Sequence, residues 1–112
     1  MNVQTQHTEV APDKHTLRLM VDYKENGIQA QSLVDKPTGV MKLLAFDRGT
    51  RLKGHTSLHD VYLLILEGEA EVTIEGKPFE LQAGDTITLP ATRPHAVRAK
   101  TPFKMLLTMF RD

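Results

Sequence analysis

Every apolar stretch of this chain is short and is closed by turn-forming residues, and this feature constrains the fold more than any other. The longest unbroken apolar run, residues 61–66, has six residues, too few for a membrane span or a long core helix. Clusters such as Glu25-Asn26-Gly27 and Glu75-Gly76-Lys77-Pro78 separate the stretches and are typical of turns between strands. No segment combines a sustained helical period with caps at both ends. The pattern therefore predicts an all-β chain.

About ten short strands fit between these turns, which is the spacing of a sandwich or barrel, and we expect them to be antiparallel. We expect an early strand at residues 17–21, where apolar residues occupy alternate positions. Residues 40–46 are nearly all apolar, and residues 69–75 alternate glutamate or threonine with apolar side chains. Gly68 stops the apolar run at residues 63–66, so we interpret that run as a strand buried on both faces.

Length and composition exclude several classes of protein. The 112 residues suffice for one domain, expected at residues 14–112. Lys plus Arg and Asp plus Glu are 14 each, giving zero net charge, which supports neither a nucleic-acid nor a membrane partner. The absence of cysteine excludes disulfides and thiolate metal sites. The N-terminal sequence lacks the basic start and apolar stretch of a signal peptide, so a cytoplasmic location is expected.

The first 13 residues are polar and carry few apolar side chains. We interpret them as a flexible arm, because they offer little burial to offset the entropy of ordering. The alternative is a strand that pairs with a sheet edge, including the edge of another subunit. Zero net charge and apolar strands also favour self-association, and a homodimer is expected.

Two sequence stretches together indicate a family. The first runs from Gly49 through His55 to Gly68, and the second runs from Gly84 through Pro90 to His95. Their spacing resembles the two sequence motifs of the cupin superfamily. The resemblance covers roughly residues 17–110 and implies a small jelly-roll barrel, or double-stranded β-helix, similar to that of RmlC. It also implies that the two motifs face each other across the barrel interior.

The chain departs from the family pattern at the positions that hold a metal in metal-binding cupins. The resemblance implies four ligand positions, of which two keep histidine, His55 and His95. Ser57 stands at the second histidine position and Val61 at the glutamate position. Two further motif positions, a glycine and an asparagine in the family, are Thr92 and Ala99. Two imidazoles alone make a weak site, since catalytic metal centres usually keep three protein ligands.

His59 or Asp60 is a candidate to complete a three-ligand centre with His55 and His95. Such a centre would hold one divalent cation, Zn, Ni, Mn or Fe. The alternative is that both motif histidines are pocket residues that hydrogen-bond a ligand, each other or the backbone. His59 and Asp60 are then a solvated pair in a turn.

The expected ligand pocket contains Ser57, Tyr62, Met41, Met105 and Arg93 in addition to the two histidines. The resemblance and these residues together imply a small cupin that binds a small molecule at His55 and His95. One alternative is a metal-dependent enzyme, a dioxygenase or isomerase acting on a small oxygenated substrate. Another is a non-catalytic sensing or assembly module. The fold by itself decides between none of these, because one fold hosts many activities.

Overall fold

The part of the chain that the structure describes contains ten strands and one 3₁₀ turn. The computed structural model describes residues 3–7, 12–55 and 57–111, without the side chains of residues 6, 7, 54 and 55. The strands are β1 (Val3–His7), β2 (Ile28–Lys36), β3 (Gly39–Phe46), β4 (Arg51–His55), β5 (Val61–Glu67), β6 (Glu69–Ile74), β7 (Lys77–Gln82), β8 (Thr86–Leu89), β9 (His95–Ala99) and β10 (Phe103–Phe110). The predicted all-β architecture is confirmed.

The strands form two sheets. One has six strands in the order β1-β2-β3-β10-β5-β8, and the other has four in the order β4-β9-β6-β7. All the neighbouring pairs are antiparallel except β1 with β2, which is parallel. The prediction of antiparallel strands is therefore wrong for β1. Residues 3–7, part of the predicted flexible arm, form an edge strand on the sheet of their own chain.

Strand alternation places the main core between the sheets. Successive side chains of a strand point to opposite faces, so Leu44 and Phe46 of β3 enter this core while Leu43 and Ala45 lie on the other face. The rings of Phe46 and Phe103 stack with their centroids 4.5 Å apart, and both are fully buried. Aromatic contacts of this kind add to the stabilisation from buried area. The two rings lie at one end of the antiparallel β3–β10 pair.

A second, smaller cluster lies on the outer face of the six-stranded sheet. Val21 packs there with Leu43 and Ala45, and Leu17 and Met20 cover them. The strand predicted at residues 17–21 is wrong, because Leu17–Leu19 is a 3₁₀ turn. The apolar side chains of this segment cover one face of the sheet, and its backbone does not add a strand to that sheet. No helix in the described ranges can span a membrane.

One polar cluster ties this covering segment to the sheet. The Lys104 ammonium is buried, donates to the Arg18 carbonyl at 2.6 Å and lies 4.9 Å from the centroid of the Tyr23 ring. The Tyr23 hydroxyl donates to Glu67 Oε2 at 2.6 Å. Burial and the Glu67 carboxylate raise the pKa of Tyr23 well above its usual value, since both disfavour the phenolate.

Candidate functional site

A cavity of about 320 Å³ lies between the two sheets. Nine of its thirteen lining residues are aliphatic or methionine, and the other four are Lys42, Ser57, His95 and Arg111. The lining draws on both sheets, with Leu52 and Val97 from one and Val61 and Leu63 from the other. Mostly apolar walls with a few polar groups are typical of small-molecule sites.

The two central strands of the larger sheet supply one wall through simple alternation. On β10, Met105, Leu107 and Met109 line the cavity, and Arg111 follows at the same parity just beyond the strand. On β3, Val40 and Lys42 do the same. Leu107 pairs with Lys42 and Met109 with Val40 in the antiparallel register. The wall is therefore mostly apolar. Lys42 lies within it, and Arg111 lies at its end.

His95 is held firmly at the cavity. It begins β9, is only 5 % exposed, and its Nδ1 lies 3.3 Å from the Arg93 carbonyl oxygen. A neutral ring that donates from Nδ1 carries its proton there, which makes Nε2 the acceptor. The β4–β9 register pairs His95 directly with His55. The sequence prediction that the two motifs meet is thus realised in the backbone, while the side chain of His55 lies outside the described residues.

Ser57 also lines the cavity, as the motif spacing predicts. Its Oγ accepts the His59 N–H at 3.2 Å and lies 3.8 Å from Met109 Sδ. Its carbonyl accepts the Thr92 N–H at 2.7 Å. These bonds fix the loop between β4 and β5 against the loop that precedes β9, and they place one neutral hydroxyl at the cavity wall.

His59 and Asp60 are not brought together with His95. Both line a separate outer depression of about 260 Å³. The Asp60 carboxylate accepts the Ala91 N–H at 2.7 Å and so is engaged in joining two loops. Neither residue lines the cavity that contains His95, which favours the alternative in which they are a pair in the turn between β4 and β5.

Three of the predicted pocket residues also lie elsewhere, while Met105 lies at the cavity as predicted. Tyr62 is 42 % exposed and packs edge-on against Phe110, with centroids 6.4 Å apart, beside the outer depression. Met41 has the outward parity of β3, opposite to Val40 and Lys42, which line the cavity. Arg93 has a side chain 59 % exposed and pairs with Glu75 at 3.2 Å. In each case strand alternation or a turn sends the side chain outward.

Sequence reasoning missed the two cations of the cavity, Lys42 and Arg111. A signal for Lys42 was present, because its position shares parity with Val40, Leu44 and Phe46 and so lies on the core face of β3. A lysine on such a face contrasts with the usual exposure of this residue type. For Arg111 the corresponding signal was its parity with Met105, Leu107 and Met109.

The described side chains do not fit a divalent metal. Of the family's ligand positions, Val61 and Ser57 line the cavity but offer an isopropyl group and a neutral hydroxyl. Even with His55 included, the set amounts to two imidazoles and no carboxylate. No group of three or more His, Asp or Glu suited to a metal ion occurs among the residues described. Lys42 and Arg111 add positive charge, which opposes a bound cation.

The comparisons with known proteins agree with this architecture. Residues 43–109 match the family described as Cupin domain. A conserved Streptococcus pyogenes protein of unknown function is 28 % identical, with a TM-score of 0.87 over 92 % of this chain and 90 % of its own. A cupin 2 conserved barrel domain protein from Leptotrichia buccalis is 40 % identical, with a TM-score of 0.81 over 85 % of this chain and 46 % of its own.

An uncharacterised protein of Methanocaldococcus jannaschii is 36 % identical over 59 residues, which are 51 % of this chain and 46 % of that protein. The chain therefore spans about half the length of the curated relative it matches. These relatives confirm the predicted jelly-roll barrel.

Proposed function

The chain belongs to the cupin family, and we propose that it binds a small, largely apolar molecule in the cavity between its two sheets. The observation that carries the proposal is the cavity itself, about 320 Å³ with nine of thirteen lining residues apolar. This volume lies at the lower end of the roughly 300–1,000 Å³ found for ligand pockets. It suits a molecule the size of a short-chain or single-ring compound.

The walls favour an apolar body for the ligand. Three of the cavity residues are nearly fully buried, namely Leu63, Val97 and Met105. The apolar surface of a ligand that contacts them is therefore removed from water. Each buried CH₂ group contributes about 0.8 kcal/mol of transfer free energy. Ser57 and His95 then supply the few polar contacts that orient a ligand in such a pocket.

A thermal-shift experiment tests the proposal with two matched pairs, hexanoate with hexanamide and 3-phenylpropanoate with 3-phenylpropanamide. We expect at least one compound to stabilise the protein. A ligand present at ten times its Kd stabilises by about 1.4 kcal/mol, which raises the Tm by roughly 5 °C in a domain of this size. If none of the four compounds raises the Tm at millimolar concentration, the proposal fails.

A matched pair of variants locates the binding. Leu107 faces the cavity and Leu106 faces the outer cluster on the same strand. Leu107→Phe adds volume inside the cavity and is expected to abolish the shift. Leu106→Phe makes the same chemical change on the other face and is expected to preserve it. Equal loss in both variants would place the binding elsewhere or show that it depends on general stability.

The metal-dependent enzyme predicted as an alternative receives one supporting observation, the direct pairing of His55 with His95 in the β4–β9 register. The absence of a carboxylate from the described lining and the presence of two cations weigh against it. Elemental analysis of protein purified without a nickel column separates the two proposals. A stoichiometric metal that is lost in the His55→Ala, His95→Ala double variant would establish the alternative.

A further inference from the structure

We propose that the ligand of this cavity is a monocarboxylate whose head group pairs with Lys42, while Arg111 draws it in at the rim. The inference rests on the proposed function, because it names the chemical class of the molecule that the cavity holds. It is carried by the charges of the lining, which come from residues that the family's motifs do not contain.

Lys42 is a cation on an apolar wall. Its side chain lines the cavity from the inner face of β3, directly opposite Leu107 and two positions from the fully core-facing Leu44. It is half-buried, and among the residues described it forms no ion pair. A charge taken partly out of water costs free energy unless it is paired. A bound anion provides that pairing.

Arg111 brings a second cation to one end of the same wall. Its Nη1 donates to the Lys36 carbonyl at 2.8 Å and lies 3.9 Å from Asp35 Oδ1, at a rim where the Arg111 side chain is 36 % exposed. These contacts engage one terminal nitrogen of a guanidinium that carries five N–H donors. Anchored in this way, the Arg111 guanidinium attracts an anion toward the mouth of the cavity and does not close that mouth.

The balance of charge selects an anionic ligand over a neutral one or a cation. The described lining contains Lys42, Arg111 and no aspartate or glutamate, and among the residues described the carboxylate paired with Arg111 is the exposed Asp35. Cations on a low-dielectric wall attract opposite charge more strongly than they would in water. A single negative charge is favoured over the nearly two of a phosphate monoester, because removing the larger charge from water into an apolar cavity costs more.

The test measures Kd by isothermal titration calorimetry for the same matched pairs, hexanoate with hexanamide and 3-phenylpropanoate with 3-phenylpropanamide. We expect the carboxylate to bind at least tenfold more tightly than the amide of the same body. Binding of both at equal strength would leave the proposed function standing and overturn this inference. Binding of neither would overturn both. Tighter binding of hexyl phosphate than of hexanoate would overturn the choice of a carboxylate.

Variants assign the preference to Lys42. Lys42→Met keeps an unbranched apolar stem and is expected to weaken carboxylate binding at least tenfold while leaving amide binding within about twofold. Lys77→Met removes an exposed lysine of β7, in the other sheet, that is not among the lining residues and is expected to leave both affinities unchanged. Lys42→Arg retains the charge and is expected to retain the preference. An unchanged carboxylate-to-amide ratio in Lys42→Met would refute the role of Lys42.

Discussion

Replacing Gly68 with alanine is expected to be one of the most destabilising single-methyl additions available in this chain. Gly68 joins β5 to β6 with a φ of +80°. A Cβ built there collides with the backbone carbonyl oxygen of Pro102 and lies 2.7 Å from the Cα of Phe103. The colliding atoms belong to the backbone ahead of β10, so they cannot move aside as a flexible side chain would. The collision forces two connections of the barrel apart.

Gly49 provides the matched control for this substitution. Its φ is +78°, and a Cβ there meets nothing within 4 Å. At either position alanine must adopt the left-handed backbone conformation, which costs about 1–2 kcal/mol. The lower conformational entropy of the unfolded alanine chain offsets part of this cost. Gly49→Ala should therefore cost about 1 kcal/mol. Gly68→Ala adds an overpacking cost of about 2–3 kcal/mol, for a total of roughly 3–4 kcal/mol.

Urea unfolding followed by far-ultraviolet circular dichroism measures both variants against the parent chain. With an m-value of about 1–2 kcal/mol/M, the difference between the two variants corresponds to a shift of about 1–3 M in the midpoint. The chain has no tryptophan, so circular dichroism is a more direct signal than fluorescence. If the two variants unfold within about 0.5 kcal/mol of each other, the steric reasoning is wrong and only the φ of these glycines matters.

Three further predictions concern residues outside the cavity lining. Thr92→Gly should stabilise the fold by about 0.5–1 kcal/mol in urea unfolding, because Thr92 has a φ of +67° and a β-branched residue is strained there. Lys104→Met should destabilise it by about 1–3 kcal/mol in the same assay, since the buried Arg18 carbonyl contact is lost. The raised pKa of Tyr23 favours the neutral phenol in the fold. Its contribution is therefore complete below pH 10 and declines as pH rises further. Tyr23→Phe should flatten that alkaline loss, measured as unfolding free energy between pH 9 and 11, and equal slopes for variant and parent would contradict the raised pKa of Tyr23.

Much of the fold was predictable because turn residues and apolar alternation act locally. The turn at Glu75-Gly76 and the strand at residues 40–46 follow directly from such signals. The prediction was wrong at residues 17–21, where alternating apolar residues cover a sheet face from a 3₁₀ turn. A short alternating pattern indicates which side of a segment is buried. It does not indicate whether the backbone pairs with a neighbouring strand. That depends on tertiary packing.

Apart from Met105, the candidate site was predictable where the family motifs specify a position. Ser57 and His95 were expected at the barrel interior, and both line the cavity. Tyr62 was expected there too and lies outside the cavity. For His59 and Asp60 the sequence left two alternatives open, because the chain turns between β4 and β5, which breaks the parity of a continuous strand. Nothing in the local sequence at that point fixes the angle of the turn. The Thr92–Ser57 backbone bond fixes it, and it joins residues far apart in sequence.

The second motif keeps its backbone conformation at a position where its residue type differs from the family pattern. Thr92 stands at a family glycine position and still has a positive φ, so the chain tolerates strain there to keep the loop shape. At the same time, the glutamate position of the family pattern is Val61, which lines the cavity, and Lys42 and Arg111 place positive charge on the wall that the same six-stranded sheet supplies. A valine at the position of the carboxylate and two cations in the same cavity change the electrostatic potential in the same direction. These charges favour the proposed anionic ligand over a bound metal ion.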